Sequence, residues 1–502
     1  MNLNRREVLL SLPLAAAAQS APHSRFVYPG PDGKLLYKPD ELGNTIPDFS
    51  YAGYGAGVAA IPQAPVKAEV APAAGDAAAR IQDAIDRVSA MPLNESGIRG
   101  AVLIRRGQYR TEGSVHVAAS GVVLRGEKDA VLIAAGKSQR PLIELAGAPA
   151  ATARSGRRIL DAYVPVGARS FEVSTTAGLT PGRVVAVRRH SNAAWIHRIA
   201  MDRIAERPGE PGSTRQWAPF NLDFERTVTA IAGRRITVDA PIACAIEEPW
   251  GGGEVLDFDE ASRIRNVGVE NLSGISEFDR SITADYRGQR YTSDEEHSWR
   301  FIAISHAVNA WVSEVSARCF AYACVHVAAS RSVTIRDSEC LEPVSVITGE
   351  RRYSFAVDGQ LCLVRNCRSS LGRHDWVVGA RVCGPNVFLR CASDRIYDSS
   401  EPHHRWSVGG LYDNVKSNIA FQDRQWMGTG HGWAGANYVA WNCEGTLICQ
   451  NPPTAQNWAI GQIGRKDPGA FQPRPDGLWE HQGHHVTPPS LYEAQLHGRI
   501  GG

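Results

Sequence analysis

Three short stretches of this 502-residue chain gather side chains that can move protons or grip anions. They are Leu371-Gly372-Arg373-His374-Asp375-Trp376, Glu401-Pro402-His403-His404-Arg405-Trp406 and Gly428-Thr429-Gly430-His431-Gly432-Trp433. Imidazole exchanges protons near neutral pH, and guanidinium holds a carboxylate or sulfate through two parallel hydrogen bonds. Arg351, Arg352, Asp398, Asp423 and Arg424 stand on adjoining loops. If the stretches stack in register, His374, Asp375, His404, Arg405, Arg373 and His431 form a reactive group. Arg351, Arg352, His403, Arg424, Trp433 and Asn457 would surround it as ligand contacts. The plainer reading makes Asp375 and Arg405 a surface ion pair of little worth and the imidazoles a hydrogen-bonded corner. Neither His403-His404 nor His484-His485 has the helical spacing of a zinc site, so no metal is expected. Calcium is possible at Asp279, Asp285, Asp294, Glu295 and Glu296, although a solvated acidic loop is the preferred reading.

The elements that position these residues follow from composition and repeat. Lys+Arg number 54 and Asp+Glu 52, leaving +2, so there is no global attraction to nucleic acid or an anionic membrane. With 43% hydrophobic and 21% charged residues the chain is globular, not disordered. Only 7 of the cationic residues are Lys, none between Lys137 and Lys416, so central cationic chemistry falls to Arg or His. The 48 Gly and 29 Pro imply many turns and exclude long helices.

From about residue 262 a pattern returns every 21–31 residues. One column holds Leu272, Cys319, Cys340, Cys367, Cys391, Val415 and Cys443, often preceded by a polar residue such as Asn271, Asn366, Asn414 or Asn442. A second holds Trp299, Cys324, Phe355, Trp376, Trp406, Trp433 and Trp458, with His or Tyr frequently two residues ahead. Short β-prone runs at such a period predict a parallel β-helix, whose equivalent residues stack coil on coil. The Cys column is then an interior ladder rather than a disulfide framework. Strand parity turns the aromatic column inward as well, and leaves Ser298, Ser354, Asp375, Arg405, Gly432 and Asn457 facing out.

Residues 75–86 read as a helix with Asp76 as N-cap, and Gly100-Ala101-Val102-Leu103-Ile104, Gly107-Gln108-Tyr109 and Gly121-Val122-Val123-Leu124-Arg125-Gly126 follow. This helix-then-strand series resembles the opening of the pectate-lyase-like superfamily of right-handed parallel β-helix proteins, which are exported and carbohydrate-active. The expected fold class is all-β: a right-handed parallel β-helix with an N-terminal capping helix and a small β-rich insert. The divisions are a twin-arginine-type signal peptide at 1–21 (Asn4-Arg5-Arg6-Glu7-Val8-Leu9-Leu10), an extended segment at 22–74, cap and first coils at 75–158, the insert at 159–250, groove-bearing coils at 251–462 and a tail at 463–502. The protein is expected to be exported, to the periplasm or beyond, and to be a monomer without a membrane span or nucleic-acid partner.

A groove along stacked coils suits a linear polymer, and its arginines favour an acidic one. Such uronate-containing polysaccharides break by β-elimination when one group neutralises the carboxylate, a base takes the C5 proton and an acid assists the leaving oxygen. His374 or His404 is the expected base and Arg405 or Arg373 the neutraliser, so the leading expectation is a polysaccharide lyase. Hydrolysis, which needs two flanking carboxyl groups, could draw on Asp375, Asp398, Asp413 and Asp423. Gly430-His431-Gly432 and Arg465-Lys466 resemble polygalacturonase-type β-helix hydrolases, but the Asn-Thr-Asp and Asp-Asp that accompany them there are missing. A non-catalytic glycan-binding envelope protein is the third expectation.

Overall fold

The structure, a computed structural model, describes residues 22–501. The expected leader at 1–21 lies outside them. Three rows of parallel strands wind into a right-handed β-helix. The first row begins at Val66–Val70 and ends at Leu478–Glu480, each strand pairing with its counterpart one coil on. The second runs from Val115–Val117 to Trp376–Val378, and the third from Gly107–Thr111 to Ala392–Asp394. The helix Ala78–Ser89 packs Ile81, Ile85 and Val88 against the first strands. Asp76 accepts a hydrogen bond from the Ala78 amide, 3.0 Å, one residue before the cap position.

The recurring Asn has a backbone cause. Asn271, Asn366, Asn414 and Asn442 each take a left-handed conformation, φ 51–55°, at the turn from first to third row. Asn tolerates that region better than most residues. Each amide bonds a carbonyl of the next coil, for example Asn366 to Leu389 and Asn414 to Trp441. The residue after each turn points inward, so Leu272, Cys367, Cys391, Val415 and Cys443 lie in the core, and all ten cysteines are free. Two of the expected column members stand elsewhere. Cys340 is buried three residues past the left-handed Asp337, paired with Ala317 and Ser369, and Cys319 is half-buried at a bend with φ 65°.

The aromatic column divides instead of stacking throughout. Phe355 and Trp376 stack in the solenoid core at 5.1 Å. Trp406 and Trp433 face outward and are buried in the core of the insert, while Trp458 packs under the N- and C-terminal segments. The register explains the first departure. Val378 pairs with Pro402, so Ser400 takes the Trp376 position, and Trp406 stands six residues further on, beyond the second row where the Arg381 amide bonds the Arg405 carbonyl.

The insert is an antiparallel sheet in which Val184–Arg189 lies between Leu222–Ala232 and Gly253–Asp259. Its core includes Trp195, Trp217 and Phe224. A buried charge network joins it to the solenoid: Arg263 holds Glu225 bidentately at 2.6 and 2.7 Å, and Arg331 and Arg265 share Glu260. At the chain's end the helix Leu491–Ile500 docks through Asp413, which accepts from Ser490 Oγ and the Tyr492 amide. Among the described residues, no helix is long and apolar enough to cross a membrane.

Candidate active-site groove

The outer face of the second row carries a cavity of about 460 Å³ that crosses successive coils. Ala356, Val377 and Gly379 give a floor of small side chains, and Trp299, Tyr322 and Tyr353 form an aromatic wall. The rings of Tyr322 and Tyr353 lie 5.3 Å apart, and the Arg300 guanidinium covers Tyr322 at 4.6 Å. Opposite them His326 meets Asp358 at 3.1 Å, and Asp358 also accepts from the Gly379 amide. His403 and His404 close the far end.

At that end a chain of hydrogen bonds leads from the groove into the protein. Tyr353 Oη lies 2.9 Å from His403 Nε2, and His403 Nδ1 lies 2.9 Å from Glu401 Oε1. Arg424 Nη1 donates to the same Oε1 at 2.5 Å and to the His403 carbonyl, and stands 2.8 Å from Nδ1. Because Oε1 can only accept, the network assigns the proton to Nδ1 and leaves Nε2 to accept from the Tyr353 hydroxyl. Arg373 lies over the Tyr353 ring at 5.8 Å. The imidazoles form a continuous stack: His374 to His403 4.7 Å, His403 to His431 4.9 Å, and His404 to His431 5.0 Å.

Burial sets the protonation states. It pushes Tyr353 up to about 12 against the pull of Arg373. Burial and the neighbouring Arg405 lower His404 to about 4, and burial with Arg424 lowers His431 to about 2. His374 and His403 are held well below the usual range, again mainly by burial. At neutral pH the groove end therefore presents a protonated phenol beside unprotonated imidazoles.

The lowered imidazoles should weaken the fold in acid. Unfolded imidazoles protonate near 6.5, but the folded ones do so only at lower pH, so the unfolded chain binds more protons in between. Stability that is full above about 6.5 is lost as the pH falls through about 4 and lower. Asp413, raised to about 6 by burial, works the other way, as do Asp48, Glu247, Asp375 and Asp398, which burial also raises, while His297 and His306 are lowered like the other four imidazoles. Calorimetry should show an unfolding temperature lower by roughly 5 °C or more across that window, with a shallower dependence in the H404Q/H431Q variant.

The twelve residues singled out from sequence divide sharply. His403 and His404 line the cavity, Arg373 caps the Tyr353 ring, and Arg405 remains half-exposed beside His404, donating to Thr429 Oγ1 at 2.7 Å. His374 is fully buried, with Nδ1 2.6 Å from the Ser399 carbonyl. His431 lies behind His403 and His404 in the stack.

Asp375 corrects the expectation of an outward column. It is 1% exposed and accepts from Ser354 and Ser369 inside the solenoid, so it forms no pair with Arg405. Strand alternation does not reach it, because the strand begins at Trp376 and Asp375 stands at the bend before it. Ser298, Ser354 and Asn457 are buried for the same reason, and Asn457 satisfies the Tyr438 amide and the Gly435 carbonyl. Arg351 is clamped to Glu295, Arg352 is buried against the Ser345 carbonyl, Arg424 serves Glu401, and Trp433 belongs to the insert. Of the four aspartates considered for hydrolysis, Asp375 is interior, Asp413 anchors the C-terminal helix, and Asp423 bonds Arg474. Asp398 alone stays half-exposed, 3.9 Å from His374 Nε2.

His374, Glu401 and His403 place ligand atoms within 4.8 Å of one another. Arg424 Nη1 already donates to Glu401 Oε1 and stands against His403 Nδ1, and His374 Nδ1 lies 2.6 Å from the Ser399 carbonyl, which leaves His374 Nε2 buried without a partner. In the acidic cluster, Asp279 accepts from Ser281, Asp294 from the Asp279 and Glu296 amides, and Glu295 holds Arg351.

No protein-family model matches the chain, and no curated protein does. Solved structures resemble it in fold. ORF18 of Geobacillus virus E2 is 11% identical over 81% of this chain and 57% of its own, with a TM-score of 0.38, so the chain spans a little over half of that protein's length. The tailspike gp49 of Pseudomonas phage LKA1 is 11% identical over 80% of this chain and 70% of its own, TM-score 0.36. A polygalacturonase from Erwinia carotovora ssp. carotovora is 10% identical over 86% of this chain and all of its own, TM-score 0.34. The parallel strand rows themselves define the class, a parallel β-helix, and the groove alone bears on its chemistry.

Proposed function

We propose that the groove binds an acidic, uronate-containing polysaccharide and cleaves it by β-elimination. The observation that carries this reading is the Tyr353–His403–Glu401 hydrogen-bond chain at the end of an aromatic groove bordered by arginines. Sugars stack on the aromatic wall, and Arg300, Arg373 or Arg405 pairs with the uronate carboxylate, which makes the C5 proton easier to remove. His404, unprotonated and lining the cavity, takes that proton on Nε2, since its Nδ1 is buried. The C4–O bond breaks as its electrons leave with the oxygen, a double bond forms between C4 and C5, and the Tyr353 hydroxyl protonates the departing oxygen. Arg373 steadies the phenolate until solvent returns the proton that His404 took. Glu401 and Arg424 hold His403 so that its Nε2 fixes the Tyr353 hydroxyl, a positioning role. Export through the leader would bring such an enzyme to its polymer.

The test is incubation with a panel of polyuronides and sulfated glycans, with and without calcium. Ultraviolet absorbance from the new C4–C5 double bond should rise in step with reducing ends for at least one polyuronide. Reducing ends without the chromophore would replace elimination by hydrolysis, and silence across the panel would favour glycan binding alone.

A further inference from the structure

The two ends of the groove differ. On one side the sheet face runs on past Trp299 to the preceding coils, where the side chains of Glu144 and His116 stay 35% and 54% exposed. On the other side the insert lies across it. The turn Met427–Gly430, just beyond His404, is tied to the insert at three successive carbonyls. Arg207 Nη2 donates to Gly428 at 2.8 Å, the Arg215 amide to Thr429 at 3.2 Å, and Trp217 Nε1 to Gly430 at 3.0 Å. Past that turn no open face remains, because Trp406, Val408, Trp433 and Ala436 are buried in the insert's core, with Trp195 edge-on to Trp406 at 4.9 Å. Gly432 packs so tightly that any side chain there would run into Met201 and Trp217. The cavity accordingly takes no lining residue beyond His404.

We propose that the insert is an end-stop, so that the groove accepts one terminus of the polymer and releases short products from it. This rests on the acidic-glycan reading above. Tyr353 and His404 stand in the last open coils before the stop, which leaves room on the blocked side for only a short leaving or retained piece. A chain can extend freely only towards Trp299 and Glu144.

The test reads binding first and the pattern of digestion second. Size-defined oligouronates carrying a bulky fluorophore at the reducing end, at the non-reducing end or at neither are titrated against the intact protein. One labelled series should bind like the unlabelled one, and the other should weaken by about 100-fold or more, as expected of a steric clash. Replacing the exposed loop 207–213 by two glycines, which removes the Arg207 tether, should narrow that difference. Equal tolerance of both labels, or long fragments early in digestion, would overturn the end-stop and leave the glycan reading standing. Failure of every oligouronate to bind would overturn both.

Discussion

Replacing Tyr353 by Phe should lower kcat on the cleaved polyuronide by about 10²- to 10⁴-fold, the range for loss of a positioned acid or base, and leave KM nearly unchanged. The phenyl ring keeps its packing against Tyr322 and His374, at 5.3 and 5.2 Å, so the wall of the groove survives. Only the hydroxyl is lost, and with it the donor to His403 Nε2 and the acid for the leaving oxygen. The unfolding temperature should therefore stay close to that of the parent. E401Q should cost less, because it leaves the hydroxyl in place and loosens only the imidazole behind it. Steady-state kinetics with a thermal scan separates these outcomes. A Tyr353→Phe enzyme with full kcat would remove the phenol from the mechanism.

The second large effect concerns stability. Arg263→Ala should cost about 3–5 kcal/mol, since it strands Glu225 without its bidentate partner where little water can reach. Glu225 lies on the insert strand Leu222–Ala232, and Arg263 on the chain just before the solenoid strand Ile264–Glu270, so the insert should loosen first. Calorimetry should resolve an early transition that the parent lacks. The double replacement R263M/E225Q should cost clearly less than the sum of its parts, because no uncompensated charge is then buried. An Arg263→Ala variant with one unshifted transition would mean that the apolar insert core alone fixes the two parts together.

The solenoid was legible in sequence wherever a local backbone demand repeats. Asn271, Asn366, Asn414 and Asn442 recur because one turn per coil needs a left-handed residue, and the inward position after it favours small apolar side chains such as Cys367 and Cys391. The groove was less legible for three physical reasons. Alternation fails at bends, which sends Asp375 inside although the residues on either side suggested a surface position. The coil register puts Ser400, not Trp406, opposite Trp376, so His403 and His404 lie past the second-row strand and His403 meets Tyr353 and Glu401. A Trp facing outward from a coil can still be core, as Trp406 and Trp433 are, when an insert covers it. Glu401 carries no spacing signal of its own. Tyr353 sits in the same column as the histidines, and only the fold shows that its hydroxyl meets an imidazole fifty residues away.

The most direct measurement follows the C5 hydrogen itself, using a polyuronide deuterated at that position. Elimination through Tyr353 and His404 requires that the deuterium pass to solvent, that turnover slow relative to the unlabelled polymer, and that each cut leave one unsaturated end. Products that retain the deuterium at C5 and form at an unchanged rate would contradict the proposed chemistry.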